Sequence, residues 1–189
     1  MEGERGAVLM EQEKTCCFTG HRPSKLPWRD DESDERCQAL KEAIRREVER
    51  AYDRGFRHFI CGMAQGCDFY FCEAVLALRD QRPGVTLEAA VPCEEQTEKW
   101  GAKDRARYER LLGLCDFETM VQRHYDRGCM LRRNRYMVDH SSLLIAAFDG
   151  SGGGTMYTLA YALKRGVETV TIDAEPESLE PLWCGPKDL

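Results

Sequence analysis

Three times along this chain an apolar run passes straight into a glycine-bearing turn: Thr19-Gly20-His21-Arg22, Gly62-Met63-Ala64-Gln65-Gly66-Cys67-Asp68, and Asp149-Gly150-Ser151-Gly152-Gly153-Gly154-Thr155. A glycine lets backbone approach a ligand without an intervening Cβ, and a turn that exposes its N–H groups where a helix begins is an anion site. Gly152, Gly153, Gly154 and Thr155 carry this furthest, because consecutive glycines can offer successive amides to one phosphate. The stretch is neither a P-loop, since no Lys-Ser/Thr pair follows, nor G-x-G-x-x-G, since Thr155 takes the last glycine's place. A glycine cluster alone is as readily a flexible surface loop; its place between an apolar run and a helical pattern favours phosphate.

Around these turns stand residues able to charge such a site. Asp68 falls in the first turn of the helix after Gly66, where a carboxylate either accepts from a ribose hydroxyl or caps the helix and complements its dipole, the commoner role. Glu73, one turn further, reads as solvated. His21 and Arg22 follow the first apolar run directly: the arginine can clamp phosphate through two N–H groups, or the pair projects into solvent ahead of Pro23. Arg132, Arg133 and Arg135 share a segment whose apolar stripe is Met130, Leu131, Met137 and Val138. Arg133 borders that stripe, which suits a cation reaching over a pocket rim, whereas Arg132 and Arg135 suit a solvated face. Asn134 lies within the stripe, and a buried amide must be hydrogen-bonded, either to a loop or to a ligand.

These residues need a scaffold that brings the turns to one edge. From Thr15 onward short apolar runs alternate with helical periodicity, the pattern of β-α-β units around a largely parallel sheet. Residues 15–19 read as the first strand. A helix follows, capped by Ser33, with Cys37, Leu40, Ile44, Val48, Ala51 and Tyr52 at helical spacing and Gly55 at the left-handed position past its end. Strands are expected at 59–61, 85–91, 117–121, 143–148 and 167–172. Helices are expected from 66 to about 79, at 100–114, from 129 to about 140 and at 155–164. Phe69, Cys72, Leu76, Tyr108, Leu111 and Leu112 should point inward. In a doubly wound sheet all three turns lie at the carboxyl edge, where ligands bind at the reversal of strand order.

At 189 residues, 42% of them hydrophobic, the chain suffices for one domain and is short for two. Residues 1–14 read as a disordered tail, 15–174 as a single domain and 175–189 as an irregular C-terminal tail. No stretch approaches a membrane span, and the charged N-terminus is unlike a signal peptide, so the expected location is the cytoplasm. The 10 cysteines include no C-x-x-C pair and lie largely in apolar segments, so they read as reduced thiols filling small apolar places, with no metal site. Against 27 basic residues stand 33 acidic ones, a formal charge of −6, so any anion site must be local and nucleic acid ranks low as a partner.

Taken together, Thr15-Cys-Cys-Phe-Thr-Gly-His-Arg-Pro23, Gly62-x-Ala-x-Gly-x-Asp68, Arg133-Asn-Arg-Tyr-Met-Val-Asp139 and Gly152-Gly-Gly-Thr155 resemble the YpsA/YoqJ-type branch of the SLOG (SMF/DprA-LOG) superfamily. The resemblance spans roughly residues 15–172. It implies a Rossmann-like three-layer α/β/α fold with a mostly parallel doubly wound sheet, and a site for nucleotides or nucleotide derivatives such as NAD, ADP-ribose or a nucleoside monophosphate. No further cofactor is implied. The LOG enzymes of the superfamily cleave nucleoside monophosphates with an R-K-x-x-M arginine and a glutamate in P-G-G-x-G-T-x-E-E. Arg133 and Met137 match the first motif with Asn134 in the lysine's place, but Met156, Tyr157 and Thr158 follow Thr155, so both glutamate places are taken by other residues. The expectation is therefore ligand binding or sensing, with a LOG-like nucleotide N-glycosidase as the alternative and DprA-like single-stranded DNA binding third. The expected contacts are Thr19, Gly20, His21, Arg22, Gly62, Met63, Ala64, Gly66, Asp68, Arg133, Asn134 and the turn 152–155. An apolar helix face left uncovered on so small a domain would favour a homodimer.

Overall fold

The computed structural model describes residues 14–174; the tails expected at 1–14 and 175–189 lie outside them, apart from Lys14, an exposed turn residue. Within this range the strands are β1 (Thr15–Gly20), β2 (His58–Cys61), β3 (Thr86–Val91), β4 (Phe117–Met120), β5 (Leu143–Phe148) and β6 (Glu168–Asp173). The helices are α1 (Glu35–Asp53), α2 (Cys67–Gln81), α3 (Ala102–Leu114), α4 (Cys129–Asp139) and α5 (Gly154–Lys164), with short 3-10 turns at Pro23–Lys25 and Glu94–Thr97.

The strands form one six-stranded sheet in the order β4-β3-β2-β1-β5-β6, and every pairing is parallel. Central strands of such a sheet are covered on both faces, which is why β1 and β5 read as unbroken apolar runs rather than alternating ones. On one face Cys16, Phe18, Phe59 and Leu87 pack against α1, α2 and α3. On the other Cys17, Ile60, Ala90 and Leu144 meet Met137 and Val138 of α4 and Ala162 of α5. The expected three layers follow. Phe18 stacks on Phe71 of α2 with centroids 4.6 Å apart, which fixes the helix against the end of β1.

Chain order runs outward from β1 to β4 on one side, then returns to β5 and β6 on the other. The reversal lies between β1 and β5, and Gly20 at the end of β1 pairs in register with Ala147 near the end of β5. The turns after β1, β2 and β5 share one edge because the strands are parallel.

Several local expectations are corrected. Asp34, not Ser33, caps α1, accepting from the Arg36 amide at 2.8 Å; Ser33 instead donates its amide to Asp31 at 3.1 Å. Helix α3 starts at Ala102 rather than at 100, because Trp100 is used as an anchor, edge-on to both Phe69 and Tyr108. Leu76 and Leu112 are only half-buried, while Val75 and Leu111 are fully enclosed. Glu73 is not a solvated acid: Arg107 reaches it at 2.8 Å and Arg110 at 3.3 Å, tying α2 to α3. Gly55, with φ +98, ends α1 as expected. All nine cysteines among the described residues are free, and all but Cys115 are buried; burial pushes the Cys17 thiol up to about 12.

Candidate functional site

The turn between β5 and α5 is built to leave amides unused. Gly150 (φ +88) and Gly153 (φ +144) occupy backbone conformations that side-chain-bearing residues rarely adopt. Helix α5 has no side-chain cap, and the amides of Gly154, Thr155 and Met156 precede its first backbone bond, from Tyr157 N–H to the Gly153 carbonyl at 3.0 Å. The positive end of the helix therefore opens toward the crevice. Asp149 starts the turn by accepting from the Ser151 amide at 2.8 Å and from His21 Nε2 at 2.7 Å. Burial works against its charge, but the Ser151 hydroxyl and amide together with His21 hold its carboxyl well below the usual range.

The turn after β1 is joined to both neighbours. His21 is 3% exposed and reaches Asp149 across the reversal point, while its carbonyl accepts from the Cys67 amide at 3.1 Å at the start of α2. That approach requires glycine at position 66: a Cβ there would stand 2.8 Å from the His21 carbonyl oxygen, and its φ is +83. Arg22 by contrast is exposed, its guanidinium near Met130 Sδ at 3.9 Å. Its neighbour in the 3-10 turn, Lys25, places its ammonium on the Gly152 carbonyl and 3.5 Å from Ser151 Oγ.

The turn after β2 forms the inner wall. Met63 holds a left-handed conformation (φ +56) that costs a non-glycine residue about 1 kcal/mol. Gln96 steadies it by donating to the carbonyls of Gly62 and Met63, both at 3.2 Å. Asp68 Oδ2 accepts from the Ala64 amide at 3.1 Å, so part of its role is to shape this turn. Opposite stands Arg133 of α4, 4% exposed, donating through Nη1 to the Gly62 carbonyl and through Nε to Asn134 Oδ1 at 2.8 Å. Burial raises the Asp68 carboxyl above its ordinary value against the pull of Arg133, the Ala64 amide and Arg22. Burial likewise draws the Arg133 guanidinium down, opposed by Asp68. The two are the buried charges of the wall, and neither is neutralised by a direct ion pair with the other.

These walls enclose a cavity of about 210 Å³ at the strand reversal. Of the residues expected there, Thr19, Gly20, His21 and Arg22 line it from β1, and Ala64 and Asp68 from the second turn. Arg133 and Asn134 line it from α4, and Gly154 and Thr155 from α5. Gly62, Met63 and Gly66 lie behind the wall, where they admit Arg133 and the first turn, and Gly152 and Gly153 are exposed beneath Lys25. Arg133 sits in the wall instead of reaching over a rim, because the Gly62 carbonyl gives its buried guanidinium an acceptor. His21 and Arg22 part company: one is buried, the other exposed. Arg132 and Arg135 lie on the outer surface, bonded to Gln122 at 2.6 Å and to Tyr157 at 2.8 Å. Sequence reasoning missed Lys25, Phe18 and the cavity-facing side of Met130 and Leu131. Lys25 belongs to a turn too short to carry periodicity; a basic residue closely following Arg22-Pro23 was the one available signal.

An all-parallel, doubly wound sheet with a cavity at its reversal point defines a Rossmann-like α/β protein. Comparison with known proteins gives the family. Residues 16–174 match the YpsA family, described as YspA SLOG family, and the chain belongs to it. Among relatives, YoqJ, an uncharacterized SPbeta prophage-derived protein of Bacillus subtilis, is 33% identical over 118 residues, covering 56% of this chain and 69% of the relative. YpsA of the same organism, a UPF0398 protein, is 25% identical over 156 residues, covering 80% and 86%. Solved structures share the fold at low identity. DNA processing protein A from Helicobacter pylori, described for its single-stranded DNA binding mode, superposes with a TM-score of 0.58 at 15% identity, over 92% of this chain and 70% of that one. DprA from Streptococcus pneumoniae gives 0.56 at 16%, over 92% and 53%. Among the described residues no helix is long and apolar enough to cross a membrane.

Proposed function

We propose that the cavity between β1 and β5 binds a phosphate-bearing nucleotide or nucleotide derivative of the NAD or ADP-ribose type, and that the protein holds or senses this ligand without turning it over. The observation that carries the reading is Arg133, a guanidinium 4% exposed in the wall of the same cavity onto which the uncapped start of α5 opens. A buried cation and free helix amides are complementary to phosphate, and Arg22 and Lys25 add exposed positive charge at the mouth. A cavity of 210 Å³ is below the roughly 300–1,000 Å³ of sites that enclose a whole small ligand. A phosphate and sugar fit inside, with the remainder of a dinucleotide at the open side.

Binding is favoured over hydrolysis because the carboxylates near the cavity have structural duties: Asp149 is tied to His21 and Ser151, and Asp68 shapes the 62–66 turn. No carboxylate occupies Met156, Tyr157 or Thr158, where a glycosidase of the LOG kind would carry one. A thermal-shift panel of NAD, ADP-ribose, AMP and inorganic phosphate tests the reading: a ligand at about 100 times its Kd adds about 2.7 kcal/mol of stability. Ligand recovered intact after prolonged incubation, with the shift abolished in Gly153→Ala, is the expected outcome. No shift with any phosphate compound refutes the site, and base release that depends on Arg133 restores the N-glycosidase reading.

Single-stranded nucleic acid is the remaining reading, since the Helicobacter pylori protein that shares the fold binds single-stranded DNA and Arg22 and Lys25 would meet a backbone phosphate. The chain's charge of −6 opposes any extended backbone contact. No gel retardation of oligonucleotides at about 50 mM salt is expected; a steeply salt-dependent retardation would support it.

A further inference from the structure

The inner wall holds polar atoms that the fold itself leaves unused. Asn134 is 9% exposed. A guanidinium can only donate, so the amide atom facing Arg133 Nε at 2.8 Å must be the oxygen, and the Asn134 Nδ2 hydrogens point elsewhere. Asp68, 5% exposed, receives the Ala64 amide on Oδ2, and Oδ1 has no hydrogen-bond partner among the described residues. Both side chains line the cavity; Asn134 faces the Nε end of the Arg133 guanidinium, while Asp68 Oδ2 and the Arg133 Nη1 end both border the place a Gly62 Cβ would take. Neither atom is sealed off without a partner, so both open onto the cavity, and a ligand that covers them must satisfy an acceptor and a donor in one wall. A phosphate cannot be that complement, because it would face the Asp68 carboxylate. An apolar group would leave both unsatisfied. A pair of neighbouring hydroxyls fits: one donates to Asp68 Oδ1 and the other accepts from Asn134 Nδ2.

We infer that Asp68 and Asn134 read the vicinal hydroxyls of a ribose, so that the site selects ribose phosphates over their 2-deoxy counterparts. The inference rests on the proposed phosphate site and adds a sugar specificity to it. The phosphate sits at the start of α5 and the sugar hydroxyls turn inward past Arg133, leaving the base or second nucleotide at the mouth. A site that must bond a hydroxyl discriminates strongly against the analogue lacking it, because its own buried groups are then left unsatisfied.

Isothermal titration of the full chain with ribose 5-phosphate and with 2-deoxyribose 5-phosphate tests this without assuming a base, inorganic phosphate serving as the reference. Ribose 5-phosphate should bind about tenfold tighter or more. In Asn134→Ala and in Asp68→Asn the preference should fall to about threefold or less, read within each variant as the ratio of its two affinities so that a change in overall stability does not enter the comparison. Equal affinity of the two sugars in the wild-type chain, with both binding, overturns the hydroxyl reading and leaves the phosphate site standing. An equal loss of both ligands in the two variants assigns the residues a purely structural role and also overturns it. Failure of inorganic phosphate and both sugars to bind removes the phosphate site, and this inference with it.

Discussion

Replacing Gly62 by alanine should unseat Arg133 and so destabilise the domain through its site. The backbone at Gly62 is not left-handed, so the conformation itself admits alanine. The new Cβ would however stand 2.7 Å from Arg133 Cζ and 2.9 Å from Asp68 Oδ2, closer than real Cβ contacts allow. The guanidinium must leave the Gly62 carbonyl, and at 4% exposure water does not replace that acceptor. A hydrogen bond from a charged donor contributes about 1.5–3 kcal/mol. A loss of about 2–3 kcal/mol lowers the melting temperature by roughly 4–12 °C, at about 2–4 °C per kcal/mol for a chain of this size. Differential scanning fluorimetry measures the shift, and a double-mutant cycle assigns its cause. In an Arg133→Met background the same alanine should cost under about 1 kcal/mol, what is left of its contact with Asp68, giving a coupling of about 1–2 kcal/mol. An equal cost in both backgrounds would refute the argument, because the strain would then lie in the turn and not in the guanidinium.

Other substitutions test separate parts of the description. Asp68→Asn keeps an acceptor for the Ala64 amide; since the folded carboxyl titrates above its unfolded value of about 3.9, wild-type stability falls as pH rises through that window. The variant should therefore be the more stable at about pH 7–8 and lose its advantage toward about pH 4; urea melts showing a pH-independent difference would contradict the burial argument. Asp149→Asn has the opposite sign, because the folded Asp149 carboxyl titrates below its unfolded value and contributes stability above about pH 4 that is lost at lower pH. That variant should be less stable at about pH 7 by about 1 kcal/mol, and the difference should begin to shrink only as pH falls below about 4 in the same melts. Gly113 lies exposed in α3 with open space where a Cβ would go, so Gly113→Ala should add about 0.5–1 kcal/mol, read as a raised urea midpoint.

The alternation of apolar runs with helical periodicity determined the fold class, because parallel strands covered on both faces must be continuously apolar and their crossover helices must be amphipathic. The three glycine turns were legible for the same reason: strand direction alone sends each of them to the carboxyl edge. Gly55 was readable as a helix end because its conformation is a local property. The cap of α1 was less so, since Ser33 and Asp34 are both competent and the choice fell on Asp34 through the path of a single turn. Which of the chemically capable residues face the cavity was decided only by packing. Nothing in the sequence distinguishes the buried Arg133 from the exposed Arg132 and Arg135; burial depends on the Gly62 carbonyl, brought from 71 residues away by the pairing of β1 with both β2 and β5. The same pairing set His21 against Asp149 and laid Lys25 over the glycine turn. Residue types and local periodicity are properties of neighbouring positions, so the sequence itself determined the elements and their turns. The partners of Arg133, Asp68 and Asn134 come from separate strands and helices, and strand order alone brings those together.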